Sequence, residues 1–127
     1  MRSLKQLFLF LSIGLLFACG GKENNVKFEE MSESEKISYL NAKIRKEPNN
    51  ADLFFQRAET LFKKGELQDA LLDIQKAVSI DKKQVEYHVL QADILFAQGE
   101  TALAFSSLQT AKEVDGKYIE AYLKSAE

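Results

Sequence analysis

Few residues in this sequence could carry out catalytic chemistry. Its 127 residues include one histidine, His88, one cysteine, Cys19, and no tryptophan. His88 falls on the first turns of a predicted helix at a packing position, and no carboxylate–histidine–nucleophile arrangement can be built around it. We therefore interpret it as a structural histidine. We predict no catalytic residue, no metal site, no cofactor and no enzymatic activity.

The charged residues favour neither a catalytic site nor a nucleic-acid site. Arg57 lies two residues from Glu59, and we interpret the two as a solvated or partly packed ion pair. The formal net charge is −2 with 28% charged residues, whereas nucleic-acid binding requires a basic face. We therefore expect no nucleic-acid partner, and no small-molecule substrate.

Two adjacent copies of one 34-residue pattern make up the centre of the chain. Ala51–Gln84 aligned with Val85–Tyr118 gives ten identical places out of 34. They are Ala58/Ala92, Leu61/Leu95, Phe62/Phe96, Gly65/Gly99, Glu66/Glu100, Ala70/Ala104, Gln75/Gln109, Ala77/Ala111, Asp81/Asp115 and Lys83/Lys117. A fixed period of this size indicates a protein of stacked repeats.

Each copy predicts two helices with a glycine between them. In the first copy, apolar residues recur at helical spacing over Asp52–Lys64 and over Leu67–Ile80, and Gly65 separates the two stretches. The second copy repeats this pattern around Gly99. Three places hold alanine in both copies, as expected where two helices joined by a short turn approach closely. These places are Ala58/Ala92, Ala70/Ala104 and Ala77/Ala111.

A further helix precedes the two copies. Ser32 and Glu35 fit a capping box, and apolar residues then recur at helical spacing up to Pro48, which disfavours a helix beyond Lys46. The sequence predicts a helix over Glu33–Lys46. We interpret residues 32–50 as a leading half-repeat that covers the first full repeat.

A third copy begins after the second. Within residues 119–127, Tyr122 takes the place of Phe54, and Ala126 takes the place of Ala58. This stretch is either the start of an internal repeat in a longer protein, which we favour, or a short capping helix.

The two copies resemble the tetratricopeptide repeat family, whose pattern is W-x2-L-G-x2-Y…A-x3-F…P. The first copy matches it at Phe54, Ala58, Leu61, Ala70 and Ile74, and the second at Ala92, Leu95, Ala104 and Leu108. It departs from the pattern at Arg57, Gln91, His88, Lys82 and Gly116. The resemblance implies an all-α fold, an α-solenoid of antiparallel helix pairs with about six helices, and repeats at residues 51–84 and 85–118.

The resemblance also implies a binding surface, because the first helix of each repeat in that family lines a concave groove that binds peptides. It assigns nine residues to a partner-binding groove: Asp52, Phe55, Gln56, Glu59, Lys63, Glu86, Val89, Leu90 and Asp93. Phe62 and Phe96 fall on the same helices, and they, like Phe55, could instead pack between adjacent repeats. The Lys and Asn residues with which some members bind acidic tails are missing. Acids at Glu59 and Asp93 favour an apolar segment with basic flanks.

The N-terminus resembles a bacterial lipoprotein signal peptide. Arg2 and Lys5 precede the apolar run Leu7–Phe17, which as a helix spans only about 16 Å and is too short to cross a bilayer. The run Leu16-Phe17-Ala18-Cys19 resembles a lipobox. The resemblance implies that residues 1–18 are removed and that Cys19 is lipidated, followed by a flexible tether over residues 19–31.

Together these features predict a non-enzymatic, lipid-anchored module that binds a partner protein or peptide in the bacterial cell envelope. Because Gly20 is not acidic, we expect the outer membrane, with the repeats facing the periplasm. The alternative is that the repeats form the scaffold of a longer regulatory or catalytic envelope protein whose working domain lies beyond residue 127.

Overall fold

The structure, a computed structural model, describes residues 26–125 of the chain. The predicted signal peptide and Cys19 lie outside these residues, as does Ala126. The described part is all-helical and contains no strand. Its helices are α1 (Glu33–Lys46), α2 (Ala51–Lys64), α3 (Leu67–Ile80), α4 (Val85–Ala97), α5 (Thr101–Val114) and α6 (Gly116–Ser125).

The helices stack in chain order as antiparallel pairs. The closest pairs are α2 with α3 and α4 with α5, while α3 also packs on α4, and α1 and α6 cover the two flanks. Three alanines hold each pair together, and all six have no exposed surface. They are Ala58, Ala70 and Ala77 in the first pair and Ala92, Ala104 and Ala111 in the second. The predicted α-solenoid of helix pairs is therefore confirmed.

The turn between α2 and α3 depends on a left-handed residue. Gly65 has φ 83°, its N–H bonds to the carbonyl of Phe62 at 3.0 Å, and the N–H of Glu66 bonds to Leu61 at 2.9 Å. These bonds satisfy carbonyls that the end of α2 would otherwise leave free. Gly99 repeats this conformation with φ 82°.

Helix α1 packs on α2 at the N-terminal end of the described stack. Its start has both bonds of a capping box: Glu35 N–H donates to Ser32 Oγ at 3.3 Å, and Ser32 N–H donates to Glu35 Oε2 at 2.8 Å. The hydrogen bonds from Ser32 lower the pKa of the Glu35 carboxyl. Leu40 is fully buried, and Ile37 and Ile44 pack against the core around α2.

Ordered structure begins before the capping box. Phe28–Glu30 forms a single turn of 3₁₀ helix. The Phe28 ring lies 5.7 Å from that of Tyr39 on α1, and Lys36 Nζ lies 5.8 Å from the Phe28 ring. The final residues of the predicted tether therefore fold against α1.

Helix α6 begins at Gly116, three residues before the expected start of the third copy at Ile119. Asp115 Oδ1 accepts a hydrogen bond from the N–H of Tyr118, three residues on, at 3.0 Å, as a helix N-cap does. In the first repeat the equivalent Asp81 accepts instead from the N–H of Lys83, two residues on, at 3.0 Å. That closer bond closes a turn and delays the start of α4.

The variant Gly65→Ala should lower the free energy of unfolding by about 1 kcal/mol, because an alanine at this positive φ is strained. No atom lies within 4 Å of the added methyl group, so the loss is conformational and not steric. Gly116→Ala is the matched control. It lies in helix α6, where alanine is favoured by up to about 1 kcal/mol. Urea unfolding measures both, and a Gly65→Ala variant as stable as the parent would contradict the role given to this turn.

Candidate partner-binding surface

Helices α2, α4 and α6 occupy the first-helix position of successive repeats, and we call their outward side the first-helix surface. Side-chain contacts join its three helices. The Phe55 ring on α2 stacks on Tyr87 of α4 with centroids 4.9 Å apart and planes inclined by 28°. Tyr122 Oη on α6 donates to Asp93 Oδ1 on α4 at 2.6 Å. The three helices therefore present one continuous surface.

The α2 part of this surface combines acids with aromatic area. Asp52 is exposed and accepts a hydrogen bond from Gln56 Nε2 one turn further on. Phe55 and Gln56 are half-buried, and Lys63 is exposed. The Phe55–Tyr87 stack gives this polar surface a rigid apolar floor, which aromatic pairs provide at little cost in side-chain entropy.

On this surface, the environment of Glu59 disfavours the charged form of its carboxyl group. Burial raises its pKa, the nearby Lys63 ammonium opposes that shift, and the Asp52 carboxylate adds to it. No hydrogen bond to its side chain is formed by the described residues. A positively charged group placed here would relieve the cost of burying this carboxylate.

The α4 and α6 part places two tyrosines beside two acids. Burial and the hydrogen bond to Asp93 together raise the pKa of Tyr122 to about 12. Burial also raises the pKa of Tyr118, and the carboxylates of Glu86 and Asp93 add to that shift. Glu86 and Tyr118 are exposed, whereas Asp93 and Tyr122 are half-buried.

Two residues assigned to the groove do not reach the first-helix surface. Val89 is 6% exposed and packs with Ile119 of α6, which covers it. Leu90 is 8% exposed and belongs to the core shared by α2, α3 and α4. Both side chains pack in the contacts between repeats, so neither lies on the first-helix surface in this structure.

The three phenylalanines on these helices have different environments. Phe55 and Phe62 pack against the core, although both retain some exposure. Phe96 is 39% exposed and meets the Phe105 ring edge-on, with centroids 5.4 Å apart. The alternative prediction, that these rings pack between adjacent repeats, therefore fits Phe62 but not Phe96.

Arg57 pairs with a different acid from the one expected. Its Nε and Nη2 donate to the two carboxylate oxygens of Asp73 on α3 at 2.6 and 2.7 Å, and Nη1 donates to Asn41 Oδ1 on α1 at 2.8 Å. Residues two apart on a helix do not face each other, so Glu59 points elsewhere. The bonds to Asp73 raise the pKa of Arg57. The predicted ion pair with Glu59 is wrong, and Arg57 instead ties three helices together.

His88 has the structural role that was predicted. It is 4% exposed, and its Nε2 lies 2.8 Å from the carbonyl oxygen of Lys82. Among residues 26–125, no cluster of three His, Cys, Asp or Glu side chains is placed to hold a metal ion. Over the same residues, every helix is too short or too polar to cross a membrane.

Sequence reasoning left the tyrosines out of the site. Tyr87, Tyr118 and Tyr122 all lie on first helices. The 34-residue offset places Tyr122 on α6, the next first helix after α4, which carries Asp93. The repeat period indicates which helix each residue occupies, but not how that helix is rotated about its axis. This rotation brings Tyr122 into contact with Asp93, which lies 29 residues earlier in the chain.

Comparison with known proteins identifies the fold. No protein-family model and no curated protein matches the sequence. Among solved structures, the TPR2B domain of yeast Sti1 in complex with an Hsp70 peptide is similar, with a TM-score of 0.67 and 24% identity over 71% of this chain and 72% of that one. The chain therefore has the fold of the tetratricopeptide repeat domains.

Two further structures agree. MamA matches with a TM-score of 0.67 and 24% identity, over 72% of this chain and 54% of its own. The first TPR domain of Spaghetti (RPAP3), bound to the HSP90 peptide SRMEEVD, matches with a TM-score of 0.67 and 18% identity, over 76% and 84%. At these identities the likeness concerns the fold alone.

Tyr122 should make stability depend on alkaline pH. Its pKa is about 12 in the folded protein and about 10 when unfolded, so the folded state holds the phenol proton more tightly. The stabilisation is complete below pH 10 and is lost as the pH rises towards 12. In Tyr122→Phe, the free energy of unfolding should therefore fall less between pH 10 and pH 12 than in the parent. Urea unfolding at several pH values measures this difference.

Asp93→Asn is the companion variant. It removes the carboxylate that repels a phenolate but leaves an oxygen to accept the hydrogen bond, so the Tyr122 pKa should fall part of the way towards 10. Absorbance at the tyrosinate band follows this titration. An alkaline profile identical in the parent and both variants would contradict the contact between α4 and α6.

Proposed function

We propose that this protein is a non-enzymatic interaction module that binds a peptide or helix of a partner protein on its first-helix surface. The observation that carries the proposal is the combination on one surface of acids with partly exposed aromatic rings. The acids are Asp52, Glu59, Glu86 and Asp93, and the rings are Phe55, Tyr118 and Tyr122. Two of the similar structures hold peptides, from Hsp70 and HSP90, which supports a peptide as the ligand.

The charges of the surface select the kind of peptide. The HSP90 peptide SRMEEVD bound by the RPAP3 domain carries three acids and one arginine. An acidic peptide would be repelled by Asp52 and Glu86 and would bring no positive charge to the half-buried Glu59. We therefore expect the partner segment to have an apolar centre, which packs on the aromatic rings, and basic residues beside it.

The half-buried Glu59 would contribute most to such a complex. A lysine or arginine beside it would be partly shielded from water, where an ion pair is stronger than on an open surface. The exposed Asp52 and Glu86 would act mainly on the association rate and on its salt dependence, as charges at the rim of an interface do.

Charge reversal on the first-helix surface tests this function. The probes are two synthetic peptides with the same apolar centre, one flanked by lysines and one by glutamates. The lysine-flanked peptide should bind, and the double variant Asp52→Lys/Glu86→Lys should weaken that binding at least about tenfold at low salt. Fluorescence anisotropy measures the affinity.

Glu113→Lys, which reverses one exposed acid in the last turn of α5, is the control for a charge reversal away from this surface and should leave affinity within about twofold. Equal binding of the two peptides, or equal losses in the double variant and in Glu113→Lys, would contradict a binding role for this surface.

The proposed location is the bacterial cell envelope, where a lipid on Cys19 would hold the repeats at the outer membrane facing the periplasm. The support is the resemblance of residues 1–19 to a lipoprotein signal peptide. An anchor of this kind needs two or more acyl chains, since one chain binds a bilayer only marginally.

Replacement of the cysteine tests the anchor. Cys19→Ser removes the thiol that would accept the lipid, so the protein should move from the membrane fraction to the soluble fraction or remain as an uncleaved precursor. Gly20→Ser, which keeps the cysteine, should stay in the membrane fraction. Cell fractionation with mass measurement separates these outcomes, and an unlipidated parent would exclude the anchor.

A further inference from the structure

The first-helix surface carries two rows of acidic side chains, which we call the acid rows. Asp52, Glu86 and Glu120 take the same place on α2, α4 and α6, 34 residues apart, and all three are exposed. Two helical turns further along, Glu59 and Asp93 form the second row. The first-row place is open to solvent on α2 and α4, which further helices follow, so its exposure is a property of the repeat.

Negative charge recurs in these rows although the side-chain length changes. Asp52 of the first copy becomes Glu86 in the second, whereas Glu59 becomes Asp93. The exposed Asp69 on α3, by contrast, is replaced by a leucine in the second copy. The repeated feature of the first helices is therefore the charge itself.

None of the acids in the two rows has an ion-pair partner among residues 26–125. The ion pairs in that part of the chain are formed by other side chains: Lys36–Glu33, Arg57–Asp73 and Lys64–Glu66. Lys63 stands one turn beyond Glu59 but forms no ion pair with it. Asp93 accepts its hydrogen bond from the neutral Tyr122 hydroxyl through Oδ1. A basic partner would thus meet carboxylates that no cation of the described residues neutralises directly.

An apolar strip separates the acid rows. On α2 it is formed by Phe55, whose ring stacks on Tyr87 of α4 with centroids 4.9 Å apart. On α4 the places between the two acids hold Val89 and Leu90, whose buried side chains lie beneath the strip. Along each of these two helices the order is therefore an acid, an apolar place and a second acid.

The spacing of the acids selects a conformation of the partner. Packed helices lie about 8–10 Å apart, so the acids of one row recur at about that distance across the stack. A polyproline II segment has three residues per turn and rises about 9 Å in that turn. Its three residues point in three directions, so one can face the apolar strip while the other two reach one acid row each.

An α-helix fits this arrangement less well. The two acid rows are separated by seven residues of a helix, or about 10 Å. A partner helix is about 10–12 Å across with its side chains, so it would lie over the carboxylates and not between them.

We propose that the partner segment is an extended peptide that crosses α2, α4 and α6 between the acid rows, and in which one apolar and two basic residues recur with a period of three. The inference rests on the proposed binding of a basic peptide at this surface and adds its conformation, direction and sequence period. Each period meets one first helix. On α2 the apolar residue packs on Phe55, and the cations reach Asp52 and Glu59.

Synthetic peptides of identical composition test the period. The periodic peptide repeats leucine-lysine-lysine three times, and the block peptide places its three leucines together between two groups of three lysines. A glutamate peptide has the periodic order with glutamate in place of lysine. The periodic peptide should bind the full chain, purified in detergent, at least about tenfold more tightly than the block peptide at low salt. Fluorescence anisotropy measures the three affinities.

Reversal of one acid tests the path of the peptide. Glu120→Lys changes the last acid of the first row and should weaken binding of the periodic peptide at least about threefold. Glu113→Lys is the matched control, because it reverses an exposed acid on the neighbouring helix α5, outside both rows. It should change the affinity less than about twofold. Circular dichroism checks that both variants keep their helices.

Equal affinities of the periodic and block peptides would overturn the period and leave the proposed peptide-binding function intact. Equal affinities of the periodic and glutamate peptides would remove both. A helix-stabilised peptide with lysines seven residues apart that binds more tightly than the periodic peptide would overturn the extended conformation. Equal losses in Glu120→Lys and Glu113→Lys would overturn the path across α6.

Discussion

The close approach of two helices within each repeat is the constraint on which this structure depends. Six alanines have no exposed surface, and each stands where a first and a second helix touch. A larger side chain at these places would force the helices apart at a cost of about 1–3 kcal/mol. The left-handed glycines at the turns serve the same contact, because they let the chain reverse direction within very few residues. The position of the first-helix surface follows from this packing.

The two repeats share this interior and differ outside it. Asp69 and Asp73 in the first repeat become Leu103 and Ser107 in the second. Such changes leave the alanine contacts intact, so they can alter what each repeat binds without altering how it folds. The acidic first-helix surface and the uncharged first ten residues of α5, Thr101–Thr110, thus differ in charge although they are carried by the same fold.

Much of the fold could be predicted from local signals. The capping box at Ser32 and the stop at Pro48 define the bounds of α1, and Gly65 defines the end of α2. These signals act within a few residues, so the sequence carries them directly. The start of α6 was placed three residues late because Asp81 and Asp115, although identical, accept hydrogen bonds from different residues.

The candidate site was harder to predict, because it depends on how one helix is rotated against the next. Val89 and Leu90 lie on a first helix, yet neighbouring helices bury them. Arg57 lies near Glu59 in sequence but reaches Asp73 across the repeat. Tyr122 and Asp93 meet only because α6 packs over α4. A repeat period specifies which helix a residue occupies and leaves these contacts between helices undetermined.

The hydrogen bonds by which Arg57 joins three helices have a consequence for folding cooperativity. It joins α1, α2 and α3 through side chains 16 residues apart, whereas the equivalent places 34 residues later hold Gln75, Gln91 and Ser107. In a linear array, stability is the sum of each repeat and its interfaces. The N-terminal helices should therefore exchange their amide hydrogens slowly and together, while α5 and α6 open first. A stack built from two copies of one pattern thus acquires a direction in which it unfolds.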